Sequence, residues 1–368
     1  QGDSSVAVGR DAGQVSQAAD SVAVGRGAGQ TSQGAYSVAV GYDAGCADQG
    51  ASSVAIGNQA GKTSQGSQAV AVGYLAGLNA QGGSTLAVGS NAGYNGQGNY
   101  AVAMGYVAGY NTQGSLSVAV GRYAGYNAQG AKGIAVGNAA GQVSQGANSV
   151  AVGYLAGSGD QGDTAVAIGN EAARVSQGTS AVAVGVSAGQ ADQGTYAVAV
   201  GRNAAKNSQS NNSVAIGNQA GSNGQGVQSV CVGDRAGEND QGGYSVAIGV
   251  NAGRTNQGED AIAIGVNTAL DNQPADSFYV GTQAVRAGGG SNYMRYNTTT
   301  GEITYLSSDD RVKDGETLIT GAVKTLSKLR PQNYFKRQKL DPYAPEQNWN
   351  HESGLMAQEV YYSAPEMR

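Results

Sequence analysis

The chain has 368 residues, a formal net charge of −5 and only 13% charged side chains. Its 61 Gly, 5 Pro, 2 Phe and 1 Trp, set against 20 Tyr, exclude an ordinary layered core built on Leu and Phe; the apolar residues are mostly Ala and Val. No basic stripe supports nucleic-acid binding, and no apolar run is long enough to span a bilayer as a helix.

The chain starts at Gln1 rather than Met, which reads as a processed or trimmed beginning without a visible signal peptide. From there a 16-residue period dominates. Every sixteenth residue from Gln1 to Gln273 is Gln, and every sixteenth from Gly9 to Gly281 is Gly. The consensus is S-V-A-V-G-x-x-A-G-x-x-x-Q-G-x-x. So short a unit holds two strands and two turns, one coil of a solenoid, and is too short for a helical pair.

Within Ser5-Val-Ala-Val-Gly9 the apolar residues alternate, so Val6 and Val8 share one face of a strand. These β-branched positions, continued at Val22 and Val24, Val54 and Ile56, and Ile262 and Ile264, are expected to line the inside of the coil. Ala7, Ala23, Ala39 and Ala55 occupy the opposite face. That face is small throughout, until Tyr279 at its end, and is expected to be buried against another chain. A monomeric solenoid is the alternative. Ala12-Gly13 and its equivalents are expected to form the second, tightly packed pass. The Gln column (Gln17, Gln33, Gln49, Gln65 and onward) reads as a structural ladder of amides bonded from rung to rung. Ligand contact would not require the same residue on every rung.

Tyrosines gather at the variable positions and are densest at Tyr94, Tyr106, Tyr110, Tyr123 and Tyr126. Exposed on a rigid shaft, they can stack on sugars of a host-surface glycan or receptor. They can equally cover rung edges or pack between chains. Cys46 and Cys231 lie about 55 Å apart along a stack of ~4.8 Å rungs, far beyond the roughly 7 Å a disulfide tolerates. With the lone His351 they build no metal site, and no cofactor is expected. Asp48, Asp160, Glu171 and Asp240 are scattered over variable positions, unlike the paired carboxylates of a glycoside hydrolase. No Thr array of the kind ice binding needs is present.

The pattern decays at Gln273-Pro274 and ends near Gly281. Gly288-Gly289-Gly290 forms a join, and Tyr293 to Leu306 reads as a hairpin turning at Thr300-Gly301. From Ser308 onward the composition changes to nine Lys or Arg and nine Asp or Glu. Ile319, Val323, Leu326 and Leu329 have helical spacing up to Pro331, and a second helix is expected from about Gly354.

The repeated Ser-Val-Ala-Val/Ile-Gly with Ala-Gly a few residues on resembles the head repeats of trimeric adhesins of the YadA type. This implies a left-handed parallel β-roll with three chains side by side over about residues 1–281. The period of that family is usually shorter, and the Gln-Gly here, its Gln invariant, fills the extra length. The family's membrane-anchor barrel has no counterpart here. Ser308-Asp-Asp-Arg-Val-Lys313, Leu-Arg-Pro-Gln-Asn-Tyr and Gly354-Leu-Met-Ala-Gln-Glu-Val360 together resemble the endosialidase-type intramolecular chaperone of phage tail spikes and fibres. That resemblance implies trimerisation and self-cleavage at Ser307-Ser308, with Ser308 as nucleophile and Lys313 as general base. A neutral Lys313 would be needed to activate the hydroxyl. Without the flanking motifs, the same residues read as a surface turn. Modules of that family run past the Gln-Glu-Val segment, so a truncated module is expected.

The expected fold is therefore all-β: a trimeric parallel β-solenoid (β-roll) of about 17 repeats over 1–284. A join and hairpin neck over 285–307 and a small α-containing chaperone module over 308–368 follow. The expected function is a viral fibre, spike or surface-decoration protein at the virion surface. It would present a host-contact surface and have no enzymatic activity beyond a serine autopeptidase acting on itself. The alternative is an extracellular microbial adhesin on the same roll.

Overall fold

The computed structural model describes residues 1–281 and four further strands, Met294–Tyr296, Ile303–Tyr305, Gln332–Arg337 and Trp349–Gly354. The chain divides into two compact units, Gln1–Ala287 and Gly288–Arg368.

The first unit is a parallel β-solenoid. Each rung contributes a three-residue Val-Ala-Val strand, such as Val22–Val24, then a turn and a second strand ending on the ladder Gln, such as Thr31–Gln33. The first strands stack into an 18-stranded sheet, the second into a 15-stranded sheet. All neighbours run parallel and in strict 16-residue register: Val22 faces Val38, Ala23 faces Ala39 and Gln33 faces Gln49. The repeat makes this register self-consistent, because a slip by any other number of residues would misplace every Gly and Gln at once. Turn residues also pair along the axis; Asp43 N–H donates to the Arg26 carbonyl at 2.9 Å and Gly29 N–H to that of Ala44 at 2.9 Å.

The interior is narrow. Ala23 of the first strand and Ala28 of the turn are fully buried, as are their equivalents rung after rung. Ser21 is buried too and its hydroxyl donates to the Ala18 carbonyl at 2.6 Å. The Gln side chain closes the space from the second strand. Gln33 Nε2 donates to the Val22 carbonyl in its own rung at 2.9 Å and to Gln49 Oε1 in the next at 3.2 Å. Gln49 and Gln65 repeat the pattern, to Val38 and Gln65 and to Val54 and Gln81. Gln17 donates to Val6 alone, and its Oε1 has no partner. A low-dielectric interior makes each satisfied amide valuable and each orphan costly, so the ladder both fills and polarises the coil.

Two glycine positions set the corners. From Gly9 to Gly265 the first corner holds φ between 118° and 138°, and a Cβ on Gly121 would meet the Gly137 carbonyl oxygen of the next rung at 2.4 Å. Only glycine has both the torsion and the space. At the second, Gly125 has φ 53° and a Cβ there would meet the Gln129 amide oxygen at 2.8 Å. Ala173, Ala205 and Ala269 occupy that position in other rungs with φ of 45–48°, so the amide can give way.

The two faces of the first strand are opposite to the expectation from the sequence. Ala points into the coil, whereas Val6, Val8 and their successors point outward, half-buried or exposed. The alanine face is small because the coil has no room, and no second chain is needed to explain it. A Cβ added at Gly93 would already lie 3.2 Å from the Ala87 Cβ. Likewise Ala28-Gly29 belongs to the turn, and the second strand follows at Thr31–Gln33.

In the second unit, Met294–Tyr296 pairs antiparallel with Ile303–Tyr305, as a hairpin over this segment requires. Gln332–Arg337 pairs antiparallel with Trp349–Gly354, placing Phe335 opposite His351. This second pair was not anticipated, because neither segment alternates cleanly. The helices expected over 319–329 and beyond Gly354 lie outside the described residues.

Candidate functional surfaces

Two surfaces of the solenoid differ from an ordinary solvated face. The first is the outer side of the large sheet. Because Ala faces in, two columns of aliphatic residues run the length of the unit. One begins Val6, Val22, Val38, Val54; the other begins Val8, Val24, Val40, Ile56. Ile56 is 41% exposed, Met104 40% and Ile216 40%. No charge interrupts either column between Val6 and Val280. Continuous apolar surface of this extent marks an interaction face.

The second surface lies on the turn after the first strand and at the start of the second, away from those columns. Tyr94, Tyr110 and Tyr126 occupy the same repeat position and stack along the axis. Their ring centroids are 4.7 and 5.3 Å apart and their planes 14° and 10° from parallel. Tyr123 meets Tyr106 and Tyr126 edge to face, each at 5.7 Å, and the Arg122 guanidinium sits 4.9 Å from the Tyr123 ring centre. In-register stacking forces this arrangement, since identical positions fall one rung apart. Beside the rings, Asn79 donates to Asn95 at 2.9 Å and Asn95 to Asn111 at 3.4 Å. Partial burial, with Tyr94 and Tyr126 alongside, pushes the Tyr110 phenol above its ordinary value.

All five tyrosines singled out in the sequence thus fall in one cluster. The stacked three spend their faces on one another, leaving Tyr106, half exposed, with the most open ring. Arg122 was not singled out; its place beside Tyr123 becomes meaningful only once the rungs are stacked. Ser307, Ser308 and Lys313 lie outside the described residues. Cys231 occupies the buried alanine position and its thiol donates to Gln241 Oε1, while Cys46 is half-buried; both are free. Among the described residues no group of three or more His, Cys, Asp or Glu could hold a metal ion. No helix there is long and apolar enough to cross a membrane.

Comparison with known proteins gives one family match. The YadA head domain repeat matches residues 144–172, as two copies. Searches of curated proteins and of solved structures found no match. The matched segment contains two strands of the large sheet, Val150–Val152 and Val166–Ile168. The solenoid is a β-roll like those heads.

Proposed function

We propose that the chain is one strand of a homotrimeric, surface-exposed adhesive fibre whose shaft self-associates through the Val/Ile columns and presents the tyrosine side outward. The observation that carries this reading is the unbroken apolar face. Burying the exposed parts of two aliphatic side chains contributes about 1 kcal/mol per rung. Over the 18 strands of the sheet that exceeds the roughly 4–15 kcal/mol lost on association. The match to YadA head repeats supports three chains rather than two. Light scattering on the purified protein tests it: a trimer is expected, and a stable monomer at micromolar concentration would refute it.

The last segment of the sequence supports one reading of the particle that carries the fibre. The resemblance of residues 308–368 to the intramolecular chaperone favours a viral fibre or spike over a microbial adhesin. On this reading Ser308, activated by Lys313, cleaves the Ser307-Ser308 bond after trimerisation. The Ser308→Ala variant is expected to remain full length and trimeric while the parent chain is cut. Equal cleavage of both would remove Ser308 from the role. A chain that is never cut but whose gene encodes a membrane anchor would favour the adhesin.

A further inference from the structure

The tyrosine cluster lies in an acid-free zone. No Asp or Glu occurs between Asp48 and Asp160, although the whole chain carries 26 of them against 21 Lys and Arg. Within that zone the only cations are Lys62, Arg122 and Lys132. Lys62 is paired with Asp43 at 3.4 Å. Lys132 sits at a different repeat position, on the turn that follows the ladder Gln. Arg122 takes part in no ion pair among the described residues; its contact is the Tyr123 ring. The other Arg–Tyr pair, Arg26 over Tyr42 at 5.2 Å, has no further ring beside it.

A guanidinium held on an aromatic face keeps its five donors in one orientation and is weakly hydrated, which suits it to a carboxylate. Tyr106 occupies the same repeat position as Arg122 one rung earlier and is half exposed, the Tyr106 and Tyr126 rings both meet Tyr123 edge to face, and Asn95, Asn111 and Asn127 pair along the axis at the start of the second strands. We infer that Arg122, Tyr106 and Tyr123 form a binding site for a carboxylated glycan, such as a sialic-acid or uronic-acid polymer lying along the shaft. Arg122 takes the carboxylate, Tyr106 stacks on a sugar ring, and the amide and phenol columns bond to hydroxyls. An acidic peptide fits less well. The backbone groups of these rungs are spent on their axial neighbours, so no free edge remains for strand addition. The ligand class deepens the host-contact role proposed above and rests on it for its biological setting, but the site itself lies within a single chain.

Titration calorimetry on the full chain, with a sialic acid oligomer, a neutral maltooligosaccharide and poly-glutamate as probes, tests this. Saturable binding of the sialic acid oligomer alone is expected, weakened about tenfold or more by Arg122→Gln and weakened also by Tyr106→Ala. Tyr36→Ala, on another turn, is expected to leave it unchanged. Circular dichroism and light scattering on each variant separate loss of the site from loss of fold or of trimer. Equal affinity for the neutral sugar, preference for poly-glutamate, no binding of the sialic acid oligomer, or indifference to Arg122→Gln in a folded variant would each overturn the assignment. A monomer that still binds would sink the trimer and leave the site standing.

Discussion

Single residues do their structural work through the axial neighbour one period away. Gly121 and Gly125 show how different two glycines of one rung can be. Alanine at 121 would drive its Cβ into the Gly137 carbonyl at φ 128°. Alanine at 125 would meet a side-chain amide, at a position where three other rungs already carry Ala. Gly121→Ala should therefore lower stability by about 3 kcal/mol or more and Gly125→Ala by about 1–2 kcal/mol, read from denaturant midpoints. Equal costs would mean that the corner is not fixed by the rung above.

Cys231 gives a residue-scale pH effect. Burial pushes its thiol well above the ordinary value of about 9. Above that pH the unfolded chain loses a proton that the folded chain keeps. The thiol's contribution is thus fully present below pH 9 and declines as pH rises past it. Urea titrations at pH 8 and pH 10 should show a smaller loss of stability in Cys231→Ala than in the parent. An unchanged pH slope would place the sensitivity elsewhere. Cys46, less buried and raised more by burial than by Asp43, should be alkylated in the folded protein, whereas Cys231 should react only after unfolding.

At the scale of the rung, the Gln ladder joins the two sheets. Gln161 receives the Gln145 amide at 3.2 Å and donates to Gln177 at 3.0 Å and to the Val150 carbonyl at 2.9 Å. Gln161→Met keeps volume and removes these bonds, orphaning Gln177 Oε1 inside the coil. A cost of about 1–3 kcal/mol is expected, with hydrogen exchange accelerated in the flanking rungs and not at the ends. Uniform acceleration along the unit would show that rungs unfold together rather than locally. The ladder already tolerates local gaps: the Oε1 atoms of Gln17, Gln33, Gln113, Gln129 and Gln273 have no partner.

For the molecule as a whole, the exposed aliphatic columns govern assembly. A charge in one column is cheap in a monomer, where Ile216 is 40% exposed, and costly once desolvated against neighbouring chains. Ile168→Asp together with Ile216→Asp should shift the mass measured by light scattering from trimer toward monomer while leaving the circular dichroism of the rungs intact. Substitutions of Tyr36 and Tyr196, on other turns, should leave the mass unchanged. An intact trimer in the doubly charged variant would move the interface off this face.

The sequence by itself determined the 16-residue rung, the parallel register and the placing of Gln and Gly on their own columns. A strict repeat admits only one self-consistent stacking. The tyrosine cluster was legible too, since equal repeat positions must fall on one line. Only the tertiary structure decided which side of the Val-Ala-Val strand is the inside. Alternation requires Val and Ala to face opposite ways but does not say which is buried. Hydrophobicity alone argues for Val inside. The closed coil reverses this, because an interior shared by Ala28, Gly29 and the Gln33 amide leaves space for a methyl, or at one rung the small thiol of Cys231, but not for a Val. Arg122 joined the site for a similar reason: its partner ring is adjacent in sequence, but the rings that complete the surface come from rungs above and below.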